Sequence, residues 1–150
     1  MKAVLQRVSS ASVSVEGSCV GAIGSGLLIL LGVEEEDCQA DCEYLAQKIA
    51  EMRIFADEQG KMNKSIKEIS GQALVVSQFT LMADWKKGRR PAFTKAAHPA
   101  KADELYQYFV KCLQAQAVPV ETGIFAANMQ VSLTNDGPVT FILEHQGSDT

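Results

Sequence analysis

Two periodicities alternate along this chain, and their order predicts the fold. Residues 2–8, Lys-Ala-Val-Leu-Gln-Arg-Val, alternate as a half-buried strand does. Ser12–Glu16 and Cys19–Ile23 flank Gly17-Ser18, a two-residue hairpin signal. Gly26–Val33 is continuously apolar and reads as a strand covered on both faces. Asp37 is the expected N-cap of a first helix. Cys38, Cys42, Leu45, Ile49 and Met52 follow at helical spacing and form its apolar stripe.

A short strand is expected at 53–56, a turn at 57–60, and polar, irregular chain from Met62 to Glu68. Gln72–Phe79 reads as a second buried strand that turns abruptly polar at Ser77 and Gln78. A long basic loop covers 83–100; a loop of that length in a small domain is usually functional. Ala102–Ala117 predicts a second helix with Leu105, Phe109, Cys112 and Leu113 on one face. Strands follow at 118–123, 128–134 and 139–144, with a turn at Asn135-Asp136-Gly137-Pro138. Residues 146–150 read as a frayed tail. Many strands with two helices far apart in sequence predict a single α+β domain over 1–150. Its expected form is a mostly antiparallel, barrel-like sheet carrying two main helices.

Composition changes this picture little. At 150 residues, with 47% hydrophobic and 21% charged positions, the chain can fold without a disulfide or metal staple. No signal peptide is recognised, and the longest apolar run is far below the roughly 20 residues of a membrane span. The expectation is a cytoplasmic protein without a membrane partner. Cys38 and Cys42 lie one helical turn apart, but no second Cys/His pair completes a metal site, so no metal or cofactor is expected. A net charge of −4 argues against sequence-blind binding to DNA or RNA. Lys86, Lys87, Arg89 and Arg90, followed by Lys95, nevertheless make a local basic patch, which is either a phosphate contact or a solvated loop.

The chemistry is defined largely by exclusion. There is no P-loop, Rossmann glycine pattern, H-E-x-x-H pair or nucleophile elbow. The two histidines, His98 and His145, lie in the basic loop and near the C-terminal tail. An enzyme built this way should lean on backbone donors, positioning and groups of its substrate. Ser77-Gln78-Phe79-Thr80-Leu81 could hold a carbonyl or ribose, or simply satisfy a turn. Gly137-Pro138 could present two carbonyls to an ammonium group. An ordinary trans turn is the common state of such a pair.

With these segments in view, the chain resembles the D-aminoacyl-tRNA deacylase family from Met1 to about Leu143. Ala3–Val8, Gly60–Asn63, Ser77–Leu81, Lys87–Pro91, Glu121–Gly123, Met129–Val131 and Asn135–Thr140 all match in order. The resemblance implies a homodimer that hydrolyses the ester of D-aminoacyl-tRNA, and of mischarged glycyl-tRNA, with the active site at the subunit interface. It implies that Ser77, Gln78, Phe79 and Thr80 line the reacting end of the pocket. Phe125 and Met129 would wall the adenine. A cis Gly137-Pro138 from the partner would bind the substrate's amino group and exclude an L side chain, with Arg7 supporting the loop. Lys86, Lys87, Arg89 and Arg90 would meet tRNA phosphates. Catalysis would be assisted by the terminal ribose 2′-OH. Two other readings stand beside this one: a small-ester hydrolase with Thr80 as nucleophile, and a non-catalytic dimer that binds nucleotides or RNA ends. Trp85, Ala92 and Ala126 depart from the family pattern, and Ala126 stands where glycine is expected.

Overall fold

The computed structural model describes residues 1–147 of the chain. Its backbone is one sheet rolled into a nearly closed barrel, with two helices packed on the outside. β1 (Lys2–Val15) is long because it serves three neighbours. Residues 2–8 pair antiparallel with β3 (Gly26–Gly32), and 11–15 pair antiparallel with β2 (Ser18–Ile23). Along its other edge β1 takes β8 (Gln130–Glu144) antiparallel. The sheet continues from β3 to β6 (Gln72–Ser77) and on to β7 (Val120–Thr122), and both of these pairings are parallel.

The sheet is therefore mixed rather than mostly antiparallel, which corrects the expectation above. The reason lies in the connections. α1 (Gln39–Glu51) lies in the chain between β3 and β6, and α2 (Pro99–Ala115) between β6 and β7. A helical crossover returns the chain to the same end of the sheet, so the strands it joins run parallel. The continuous apolar runs of β3 and β6 reflect burial on both faces, which such strands share.

Two apolar layers hold the barrel. Leu5, Leu27, Ile29, Leu31 and Val75 face the helices and meet Leu45, Ile49, Phe109 and Leu113. Val8, Val13, Leu28, Leu74 and Val76 fill the inner side. Each such side chain contributes about 1.5–3 kcal/mol when fully buried. Tyr106 of α2 donates its hydroxyl to the Val75 carbonyl at 2.9 Å, tying the helix to β6. Burial pushes that phenol up to about 12, so it stays a neutral donor. The barrel nearly shuts where β2 meets β7: a Cβ on Gly21 would lie 2.5 Å from the Thr122 carbonyl oxygen.

Several local expectations shift. The β1–β2 turn is Glu16-Gly17, one residue earlier than expected, since Val15 pairs with Ser18. Both turn residues have positive φ, 50° and 80°, as a type I′ hairpin requires. Cys38, not Asp37, caps α1. The Asp37 carboxylate is buried instead, accepting from Glu34 N–H and the Met1 amino group, each at 2.7 Å. Asp41 reaches back to the Cys38 N–H at 2.9 Å. α2 starts at Pro99 rather than Ala102, because proline suits the first helical position. Residues 62–64 form a short strand, β5 (Met62–Lys64), paired with β4 (Phe55–Ala56).

The two strands expected around the 135–138 turn are one element, β8, with a bulge. At the chain's end, His145 contacts Asp41 Oδ1 through Nδ1 at 2.7 Å and stacks on Tyr44. Gln146 still reaches Glu34. The remainder of the expected tail, 148–150, lies outside the described residues.

Candidate active site

A cleft of about 780 Å³ opens at the C-terminal end of β6. Its floor is Val76, Ser77, Gln78 and Phe79; Phe125, Asn128 and Met129 form one wall, and Phe93 with the start of α2 forms the other. The abrupt polarity of Ser77-Gln78 now has a cause. β3 ends at Gly32, where an added Cβ would lie 2.8 Å from Met82 and 3.0 Å from Leu81. The chain after β6 folds over that glycine as a short 3-10 turn, Phe79–Met82. Gln78 N–H still donates to the Leu31 carbonyl at 2.8 Å, so the strand's last bond fixes where the turn begins. The N–H groups of Phe79 and Thr80 open the turn, where first-turn donors have no partner within the helix.

Five of the predicted site residues, Ser77, Gln78, Phe79, Phe125 and Met129, line this one cleft. Phe79 is half exposed and packs edge-on against Phe93, with ring centroids 5.0 Å apart. Thr80 sits on the same turn, exposed, just outside the lining residues, and its hydroxyl accepts from the Gln78 side-chain amide. Among the described residues no histidine, lysine or carboxylate hydrogen-bonds the hydroxyl of Ser77 or Thr80. A serine or threonine nucleophile needs such a base. His98, one of the two histidines noted in the sequence, also lines the cleft, as do Phe93, Glu35 and Asn128, which were not singled out. Phe93 had left a signal, one of two aromatic residues in the basic loop at 83–100.

The other predicted residues lie elsewhere on the protomer. Gln6 pairs with Thr140 and Val8 with Asn135, so Arg7 faces a bulge of residues 136–139. Gly137-Pro138 sits there, exposed, with a cis peptide bond. Asn135 pinches the base of the bulge: its side-chain amide donates to the carbonyls of Arg7 and Val139 at 2.9 Å and accepts from Val139 N–H at 3.2 Å. Arg7 braces the loop from below. Its guanidinium donates to the Asp136 and Ile54 carbonyls, both at 2.9 Å. Lys86, Lys87, Arg89 and Arg90 are exposed on a loop closed by paired backbone bonds between Asp84 and Ala92, 2.7 and 2.9 Å.

A family model described as D-Tyr-tRNA(Tyr) deacylase matches residues 4–144. The chain belongs to this family. Two relatives named D-aminoacyl-tRNA deacylase bear out the assignment. The protein of Geobacter sp. (strain M21) is 56% identical over 144 residues, covering 96% of this chain and 97% of the relative. That of Haemophilus influenzae (strain 86-028NP) is 58% identical, covering 95% and 99%. Among solved structures, one titled c-Myc DNA Unwinding Element Binding Protein superposes with a TM-score of 0.90 at 42% identity, covering 97% of this chain and 99% of that one. Another, titled a probable eukaryotic D-amino acid tRNA deacylase, shares the fold with a TM-score of 0.81 at 17% identity, covering 95% and 97%.

One residue of the cleft carries backbone strain. Ala126, at the cleft wall, has a φ of 65°. A side chain in that region is strained, and glycine is not. Within this D-Tyr-tRNA(Tyr) deacylase fold, Ala126→Gly should therefore stabilise by about 1 kcal/mol. Thermal melts should show a rise of roughly 2–4 °C; an unchanged or lower Tm would contradict the strain argument.

Proposed function

We propose that this protein is a D-aminoacyl-tRNA deacylase, a hydrolase that cleaves the ester between a D-amino acid and the terminal ribose of tRNA. The observation that carries the reading is the cleft at the end of β6, in a chain whose relatives over nearly its whole length bear that activity in their names. Its volume suits a nucleoside carrying an amino acid, and its walls are mostly apolar and aromatic with few polar groups, as ligand sites are. Phe125 and Met129 face the base. Ser77, Gln78 and the opening N–H groups of the 3-10 turn face the carbonyl and its developing negative charge. Without a paired side-chain base, the substrate's 2′-OH is the group best placed to activate the attacking water.

The enzyme works as a homodimer in this reading. A strip of side chains runs in register across four strands, Val76, Leu30, Val4 and Ile142. It begins at the cleft and ends at Ile142, which is 68% exposed, with the Gly137-Pro138 bulge further along the same pair of strands. Apolar surface of this kind marks an interface. A two-fold mate covering the strip brings its Gly137-Pro138 loop toward the neighbour's cleft. The loop's main-chain oxygens then hold the substrate ammonium and leave no space for an L side chain. Glycyl-tRNA has no side chain to reject and is a second substrate. Lys86, Lys87, Arg89 and Arg90 hold acceptor-stem phosphates.

The direct test is release of tyrosine from D-Tyr-tRNA and L-Tyr-tRNA at equal concentration. The D ester should turn over at least about a hundredfold faster, the scale of one steric clash of up to about 3 kcal/mol. Equal rates on the two enantiomers would remove the chirality filter from this account.

A further inference from the structure

A second cleft, of about 590 Å³, lies on the opposite side of the 3-10 turn from the first. Leu81 and Met82 line it, whereas Phe79 at the head of the same turn lines the first cleft. At its edge stands Trp85, the chain's one tryptophan, 73% exposed. A large apolar ring held so far into water, stacked on no other ring among the described residues, calls for a planar partner. The charge around it says which kind. Lys86 and Lys95 line the same cleft, and neither forms an ion pair among the described residues. Of the three carboxylates there, Glu144 pairs with Lys2 at 3.1 Å, while Asp84 accepts from the Lys86 backbone N–H at 3.1 Å and Glu34 from the Gln146 amide at 3.5 Å. Lys87, Arg89 and Arg90 follow on the same loop.

An exposed aromatic platform edged by unpaired cations is the pattern that binds unpaired nucleotides, the ring stacking on a base and the cations meeting its phosphates. We infer that Trp85 stacks on an unpaired base of the tRNA 3′ end, inward of the terminal adenosine, with Lys86 and Lys95 on the adjoining phosphates. The two clefts then divide the single-stranded end between them. The terminal nucleoside lies beside Phe79 and Phe93, and the chain passes over the turn to Trp85. This rests on the tRNA reading proposed above, and it makes Trp85 a substrate-positioning residue outside the chemistry.

Because Trp85 is the only tryptophan, its fluorescence reports the contact directly. A four-nucleotide RNA ending in CCA should quench the emission saturably, and a blunt RNA duplex should not. In kinetics, Trp85→Ala should raise KM for D-Tyr-tRNA about tenfold with kcat within twofold, and Trp85→Phe should recover part of the loss. Both variants should hydrolyse the D-tyrosyl ester of free adenosine as the unmodified protein does, since that substrate ends before Trp85. The inference is overturned by absence of quenching with tRNA or the tetranucleotide. An equal loss on the adenosine ester overturns it too, as does an emission shift that follows protein concentration alone, which would mark a protein contact. If the unmodified enzyme cleaves neither substrate, the deacylase reading fails, and the quenching result still decides the base contact.

Discussion

A D-Tyr-tRNA whose terminal adenosine lacks its 2′-hydroxyl should be hydrolysed at least about a thousandfold more slowly than the ordinary substrate, while Thr80→Ala keeps kcat within about tenfold. The two results belong together. Removing a true nucleophile costs on the order of a thousandfold or more. Thr80 is exposed, its hydroxyl accepts from Gln78, and no base among the described residues hydrogen-bonds it. It has no means of losing its proton at neutral pH. Ser77 lines the cleft, and among the described residues no base hydrogen-bonds its hydroxyl either. The ribose hydroxyl vicinal to the ester is fixed by the substrate's own covalent geometry, so it pays no positioning entropy. Single-turnover rates on ribo and deoxy substrates, with and without Thr80→Ala, read both arms. Normal turnover of the deoxy substrate would end the substrate-assisted account. A thousandfold loss in Thr80→Ala, with the fold intact by circular dichroism, would install Thr80 as nucleophile.

The second large effect is on stability. Gly26 begins β3, where β3 and β6 run side by side, and an added Cβ would sit 1.8 Å from the Gln72 carbonyl oxygen and 2.7 Å from its nitrogen. Both are backbone atoms, so no rotamer change relieves the overlap. Gly26→Ala must push β6 away from β3 or distort the strand, at a cost of about 3 kcal/mol or more. Tm should fall by roughly 6–12 °C. Gly24→Ala is the control. No atom lies within 4 Å of its Cβ position, and the change should cost under about 0.5 kcal/mol. Because β6 carries Ser77 and Gln78 at its far end, Gly26→Ala should also depress activity below its own melting point. Equal melts for the two variants would mean the strands have room that the backbone distances deny.

These expectations could be framed because much of the fold was legible in the chain. Alternation gave β1, continuous apolar runs gave β3 and β6, and helical spacing gave both helices, since burial dictates residue type at those positions. Strand direction was harder. Whether β3 and β6 run parallel depends on the crossover through α1, which pairwise patterning does not encode. Charge chemistry also escaped: Asp37 looks like a cap until the Met1 amino group arrives from 36 residues away. At the site, Ser77, Gln78 and Phe79 are neighbours in sequence and stood out together. Phe93 and His98 share the 83–100 loop and Asn128 lies some 30 residues further on, so only the fold brings them to the cleft that Ser77 and Gln78 line. The long loop at 83–100 reads as structureless from composition alone, yet Asp84 and Ala92 close it with two backbone bonds.

The pairing of β1 with β8 bears on how the protein comes into being on the ribosome. Residues 2–14 find partners at 130–144, so the loop opposite Arg7 is built only after residue 144 has been added to the chain. Contacts of such separation form slowly. Until then the nascent chain offers an unpaired strand edge along β1. The loop that Arg7 braces is thus among the last of the described elements to take shape.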